Sequence, residues 1–132
     1  VAVPFKKRGF SNSNGYEWFV VSNSNESNDF LKVEIHAGTV LSARVHGKAR
    51  KPAYVMEIDF GAGLGTRISS AQITDFYGTD ALVGRQVVAV TSLPPLRVAG
   101  VKSEVLVLGA VTPEGVVLLA PDQKVPNGSR VA

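Results

Sequence analysis

From Tyr54 to Phe60 the residues alternate without a break: Tyr54, Met56, Ile58 and Phe60 against Val55, Glu57 and Asp59. Side chains of a strand point alternately to its two faces, so this run has one face for a core and one left over. A second run follows at once. Leu64, Thr66, Ile68 and Ser70 alternate with Gly65, Arg67 and Ser69, across the turn Gly61-Ala62-Gly63. Such strands leave edges that a stable protein must pair or cover. That need constrains the fold more tightly than any value of composition.

The flanking runs show how it is met. Val33 to Val45 alternates loosely, and its phase changes at Gly38, which predicts a bulge or a sharp bend there. Ile73, Phe76, Tyr77, Ala81 and Leu82 have helical spacing, so a helical segment is expected over 71–82, broken near Gly78. Gln86 to Leu93 reads as a buried strand, and Pro94-Pro95 as a rigid, non-helical connection. Glu104–Val111 and Gly115–Ala120 are further apolar runs around the turn Thr112-Pro113-Glu114. Asp29 is placed to N-cap a helical turn over Phe30, Leu31 and Lys32. Three strands, a helical segment and two or three more strands is the order of an OB-fold. The expected class is therefore all-β, a five-stranded OB-fold barrel with a helical segment between strands three and four.

The length of 132 residues fits one such domain, and 45% hydrophobic residues supply a core. No cysteine is present, which excludes disulfides, cysteine–zinc sites and thiol catalysis, and suits a reducing cytosol. No stretch approaches the roughly 18 apolar residues of a membrane helix. No apolar run follows Lys6-Lys7-Arg8. Neither a signal peptide nor membrane insertion is expected. A net charge of +3 is mild for a duplex binder and leaves single strands, tRNA and peptides open.

Residues 1–28 read as a flexible tail and 29–132 as the domain. Ser11-Asn12-Ser13-Asn14 recurs as Ser22-Asn23-Ser24-Asn25, and such tracts stay solvated. Between them lies Gly15-Tyr16-Glu17-Trp18-Phe19-Val20-Val21. One reading is a disordered tail or expression remnant. The other is a tethered peptide ligand, natural or engineered, with Tyr16, Trp18 and Phe19 as anchors. Extended, it is suited to adding to a sheet edge.

No catalytic constellation is expected. His36 and His46 lack partners at metal spacing. Glu57 and Asp59 share a strand face, but such a pair more often bonds to turns than performs acid–base work. Ser103 beside Lys102 is a nominal nucleophile pair whose members, as strand neighbours, point to opposite faces. Gly61-Ala62-Gly63-Leu64-Gly65 joins two strands rather than opening a helix, so it is no nucleotide fingerprint. No metal and no cofactor are called for. What remains is a binding surface at the face of strands two and three and the rim loops. Its candidate residues are Lys48 and Arg50 in the first rim loop, then Arg67, Ser69, Ser70 and Gln72. Pro94, Pro95, Arg97 and Lys102 complete the set from the second rim loop. Cations beside Pro, Leu and Val, with few aromatics, suit a polypeptide at least as well as a stacked nucleic acid.

Several segments carry a family resemblance. They are Asp29-Phe30-Leu31-Lys32-Val33-Glu34-Ile35, Ile58-Asp59-Phe60-Gly61, Ser69-Ser70-Ala71-Gln72-Ile73-Thr74 and Pro94-Pro95. Lys102 to Gly109, Pro121-Asp122-Gln123 and Val125-Pro126-Asn127-Gly128 extend it. Through them the chain from Asp29 onward resembles the CsaA family of export-related chaperones. The wider superfamily is the tRNA-binding domain appended to some methionyl- and tyrosyl-tRNA synthetases. The resemblance implies a cytoplasmic OB-fold homodimer with an interface built by terminal segments. It also implies that unfolded preprotein or peptide is held for the secretion motor SecA. Residues 1–28 match nothing in that pattern. The tRNA-binding relatives carry Ser-Gly-Ile where this chain has Ser70-Ala71-Gln72-Ile73. They carry Lys-Ser-x-Gly-Met where it has Lys102-Ser103-Glu104-Val105-Leu106. A carboxylate at Glu104 repels phosphate if it faces the groove. The expected function is a chaperone for extended polypeptide, with tRNA binding on the same surface as the alternative.

Overall fold

The computed structural model describes residues 2–6, 16–20, 30 and 32–132, in two compact units, Val1–Val33 with Ala132 and Glu34–Val131. In the first unit, β1 (Ala2–Lys6) and β2 (Tyr16–Val20) form an antiparallel hairpin with Ala2 opposite Val20 and Lys6 opposite Tyr16. One edge of Tyr16–Val20, the strand that one of the two readings docks on a sheet edge, is therefore taken by Ala2–Lys6. Phe30 and Lys32 are helical, as expected. Asp29, Leu31, Val21 and both Ser/Asn spacers lie outside the described residues.

In the second unit, β3 (Ile35–Val45) leads to β4 (Tyr54–Asp59), the single helical turn α1 (Gly61–Leu64) and β5 (Thr66–Ala71). The short helix α2 (Thr79–Leu82) precedes β6 (Gln86–Val90). A hairpin of β7 (Leu96–Val98) and β8 (Val101–Ser103) stands before β9 (Leu106–Val107). A second hairpin, β10 (Gly109–Thr112) and β11 (Gly115–Leu118), and the terminal β12 (Arg130–Val131) complete the chain. The main sheet has the order β5-β4-β3-β6-β9, all antiparallel, and β12 pairs with β3. It curls into the nearly closed five-stranded barrel of an OB-fold, with a helical segment between its third and fourth strands.

The seam between β5 and the segment after β8 is closed largely by side chains. Glu104 N–H donates to the Ile68 carbonyl at 2.7 Å. In return, Ile68 N–H donates to Glu104 Oε1 at 3.1 Å, and Ser70 N–H to Ser103 Oγ at 3.0 Å. Polar side chains thus satisfy backbone donors that a regular ladder would pair.

Met56, Ile58, Phe60, Leu82, Val87 and Ala89 form the centre of the core. The phase change in β3 arises beyond Gly38, at Leu41. The register shifts between Val40 and Ser42, so Leu41 is the bulged residue. Gly38 serves close approach instead: a Cβ there would lie 2.7 Å from Phe60 Cδ1 and 2.8 Å from Ile58 Cγ2. Gly38→Ala is expected to cost about 1–3 kcal/mol by overpacking, measured by denaturant unfolding. The helical segment is shorter than its spacing suggested. Gly78 is extended, with ψ 159°, so Thr74–Phe76 is a turn and only Thr79–Leu82 is helix. Tyr77 joins the parts: its carbonyl accepts from Tyr54 Oη at 2.7 Å and its hydroxyl from Leu118 N–H at 2.9 Å. β6 also ends early, at Val90, leaving Leu93 exposed.

One end of the barrel is strapped by the residues before β12. Asn127 Oδ1 accepts from Thr39 Oγ1 at 2.6 Å and from Gln86 Nε2 at 3.2 Å, and its amide donates to Asp59 Oδ2 at 3.4 Å. Gly128 N–H donates to the Ala37 carbonyl at 2.7 Å. Asp59 Oδ1 accepts from Gly61 N–H at 2.8 Å. The Asp59 carboxylate therefore holds a turn and the strap.

Candidate ligand-binding groove

The alternation in β4 sends Met56 and Ile58 into the core and Val55 and Glu57 to the outer face. Register then places Ser42 and Ile68 beside Glu57, and Arg44 and Ser70 beside Val55. The β7–β8 hairpin and the start of the seam form the opposite wall. Between them lies a groove of about 320 Å³, lined by Ser42, Arg44, Val55, Glu57, Ile68, Gly100, Val101, Lys102 and Glu104. That is the lower end of the range for ligand clefts, about 300–1,000 Å³. Val55, Ile68 and Val101 supply apolar contact. Arg44 and Lys102 supply positive charge, and Glu57 and Glu104 negative charge.

His46 stands between this groove and a second cleft. That cleft, of about 440 Å³, is lined by Val45, His46, Gly47, Ala49, Arg50, Pro52, Ala53, Tyr54 and Thr74. The His46 ring is buried, with Nδ1 2.8 Å from Ser70 Oγ and Nε2 3.3 Å from the Ala99 carbonyl. His36 is also buried, with Nδ1 2.8 Å from Thr91 Oγ1. Among the described residues no group of three or more His, Cys, Asp or Glu side chains is placed to hold a metal ion. Among them, too, no helix is long and apolar enough to cross a membrane.

The candidate residues fall into separate places. Lys102 lines the groove and Arg50 the second cleft. Ser70 is committed to His46 and, through its N–H, to Ser103. Ser69 is directed into the core at 1% exposure, opposite Met56, and its hydroxyl has no hydrogen-bond partner. Arg67 sits opposite Ile58, on the same strand parity as Ser69, with Nε donating to the Leu64 carbonyl at 3.0 Å. Lys48, Gln72, Pro94, Pro95 and Arg97 are exposed and outside both clefts. Arg97 Nη1 reaches the Gly100 carbonyl at 3.4 Å. The side chains of Tyr16, Trp18 and Phe19 lie outside the described residues. Glu104 does face the groove. Arg44, Ser42 and His46 were not among the sequence candidates. Glu57, set aside in the sequence as one of a turn-bonding pair, also lines the groove; its place opposite the apolar set of β4 is the signal that marks it, whereas Arg44 reaches this face through the bulge at Leu41.

Ser69→Ala removes a buried hydroxyl that has no partner. It is expected to leave stability unchanged or raise it by up to about 1 kcal/mol, checked by denaturant unfolding.

The barrel is that of an OB-fold domain, with a mixed-charge groove on its outer face. Residues 35–130 match the family "Putative tRNA binding domain". Chaperone CsaA from Bacillus anthracis str. Ames is 49% identical, with a TM-score of 0.76 over 84% of this chain and 100% of that one. CsaA chaperone protein from Picrophilus torridus is 45% identical, with a TM-score of 0.75 over 80% of this chain and 96% of that one. Methionine–tRNA ligase from Thermococcus onnurineus is 33% identical over 78% of this chain, which spans 14% of that enzyme's length. The chain belongs to the CsaA family of chaperones, within the tRNA-binding-domain proteins.

Proposed function

We propose that the groove holds an extended polypeptide and that the protein acts as a CsaA-like chaperone for unfolded, export-bound chains. The observation that carries this reading is the charge of the groove. Glu57 and Glu104 line it together with Arg44 and Lys102. A phosphate chain meets repulsion at the carboxylates. Among the described residues none of the lining side chains is aromatic, so bases have nothing to stack on. A polypeptide offers both signs of charge, and its apolar side chains suit Val55, Ile68 and Val101. Binding of tRNA on the same face is the second reading, favoured by the family match and by the cations Arg44 and Lys102.

Separate titrations of a labelled unfolded peptide and of bulk tRNA distinguish the two. Peptide is expected to bind more tightly, with a shallow salt dependence. A steep dependence together with tighter tRNA binding overturns the polypeptide reading, because counterion release marks phosphate contacts. Homodimerisation, cytoplasmic residence and transfer of bound chains to SecA are parts of the same proposal, supported by family membership. A dimer with an interface built by terminal segments would cover exposed apolar side chains such as Phe30 and Val131. Light scattering at micromolar concentration should give twice the chain mass, and a monomer there removes the dimer from the proposal.

A further inference from the structure

We infer that His46 is a positioning residue for the groove, a latch that fixes the tip of the β7–β8 hairpin at the distance from β4 and β5 that admits an extended chain. The inference rests on the polypeptide reading above. The hairpin supplies Gly100, Val101 and Lys102 to the groove wall, yet Leu96, Arg97, Ala99, Gly100 and Lys102 are exposed. Little buried apolar surface therefore holds the tip in place. Its turn is also an awkward one. Ala99 has φ +45° and Gly100 φ +86°, the left-handed pair of a two-residue hairpin turn. Glycine adopts that conformation freely, whereas alanine is disfavoured in it.

The carbonyl of Ala99 is the one that His46 holds. A carbonyl only accepts, so Nε2 carries a proton toward Ala99, and in the neutral ring Nδ1 then accepts from the Ser70 hydroxyl. The backbone of His46 is held as well. Its N–H donates to the Ala53 carbonyl at 2.9 Å, and its carbonyl accepts from Ala49 N–H at 3.1 Å. Ser70 N–H in turn donates to Ser103 Oγ at the base of the hairpin. One chain of bonds thus runs from the base of the hairpin, through β5 and the β3–β4 loop, to its tip. Neither ring nitrogen is left for a ligand. The geometry suits pre-organisation: a wall already fixed costs the ligand less ordering on binding.

The substitutions that test it differ in reach. His46→Gln retains a donor near the position of Nε2, whereas His46→Asn stops short of Ala99 while keeping a polar group near Ser70. Backbone ¹⁵N relaxation of the ligand-free full chain reads the latch at the Ala99 and Gly100 amides. In His46→Asn their order parameters are expected to fall from about 0.85 to below about 0.6. Affinity for a peptide of alternating lysine and glutamate should fall about tenfold, chiefly through faster dissociation. His46→Gln should restore both, which loss of a merely structural side chain would not predict. Ser70→Ala should loosen the tip by a smaller amount, and it keeps the test decisive if His46→Asn melts out. Unchanged order parameters in a folded His46→Asn protein overturn the latch. A loosened tip with unchanged peptide affinity overturns its role in binding. If the unsubstituted protein binds no such peptide, the polypeptide reading fails, while relaxation still decides whether the tip is latched.

Discussion

Gly128→Ala is expected to lower the melting temperature by roughly 12–24 °C, a loss of about 3 kcal/mol in a domain of this size. Gly128 has φ +90°, and a Cβ built on it runs into the Phe60 carbonyl oxygen. Phe60 is itself buried in the core, so it has no free direction to move. The approach is reciprocal. Gly61, at φ +86°, would place a Cβ 2.5 Å from the Asn127 carbonyl oxygen. Two backbones therefore meet face to face, and the meeting aligns Asn127 with Thr39, Gln86 and Asp59. Pushing them apart adds the loss of those bonds to the strain. Gly63 is the control. It sits in α1 with open space around its Cβ position, so Gly63→Ala should change stability by less than about 1 kcal/mol. Equal losses from the two substitutions, followed by thermal circular dichroism, would show that the strap contact is not what matters.

The second large effect is a change of ligand preference. Glu57→Lys leaves three cations and Glu104 around the groove. Glu57 is exposed on the outer face, so the barrel should fold as before. Reversing one charge about 4 Å from a ligand charge is worth 1 kcal/mol or more even in high dielectric. Affinity for tRNA at low salt should rise about tenfold, and the logarithmic salt slope should steepen by about 0.7–0.9 for the added phosphate contact. Affinity for a lysine-bearing peptide should fall. Filter-binding and fluorescence titrations over a salt series measure both. Unaltered tRNA binding would mean that the ligand does not lie along β4.

Much of the fold was legible in advance because strand parity and turn chemistry are local properties. Tyr54 to Phe60 alternates, Gly61 to Gly65 cannot continue a strand, and Pro94-Pro95 cannot pair. The order of elements then left few ways to cover the edges, and a barrel is one. The helical segment was visible in Ile73 and Leu82, both buried. The break near Gly78 was visible too; that Thr74–Phe76 is a turn, leaving helix only over Thr79–Leu82, was not.

The groove was only partly legible. The residues from Thr66 to Ser70 alternate, but alternation does not say which set faces the core. Pairing of Met56 with Ser69 decides it, sending Arg67 to the core side and Ile68 to the groove. A shift of one residue would have reversed every one of these assignments. The bulge at Leu41 does the same for Arg44, since it resets the face on which the end of β3 presents its side chains. The sequence by itself determined the barrel strands β3 to β6, the place of the helical segment and the family, but neither the β7–β8 hairpin nor the division of Glu104–Val111 into β9 and β10. Tertiary structure alone decided which charges meet in the groove, why Ser69 is buried, and what His46 holds. The bonds to Ser70 and Ala99 join residues 24 and 53 positions apart, and only the closing of the barrel brings them together.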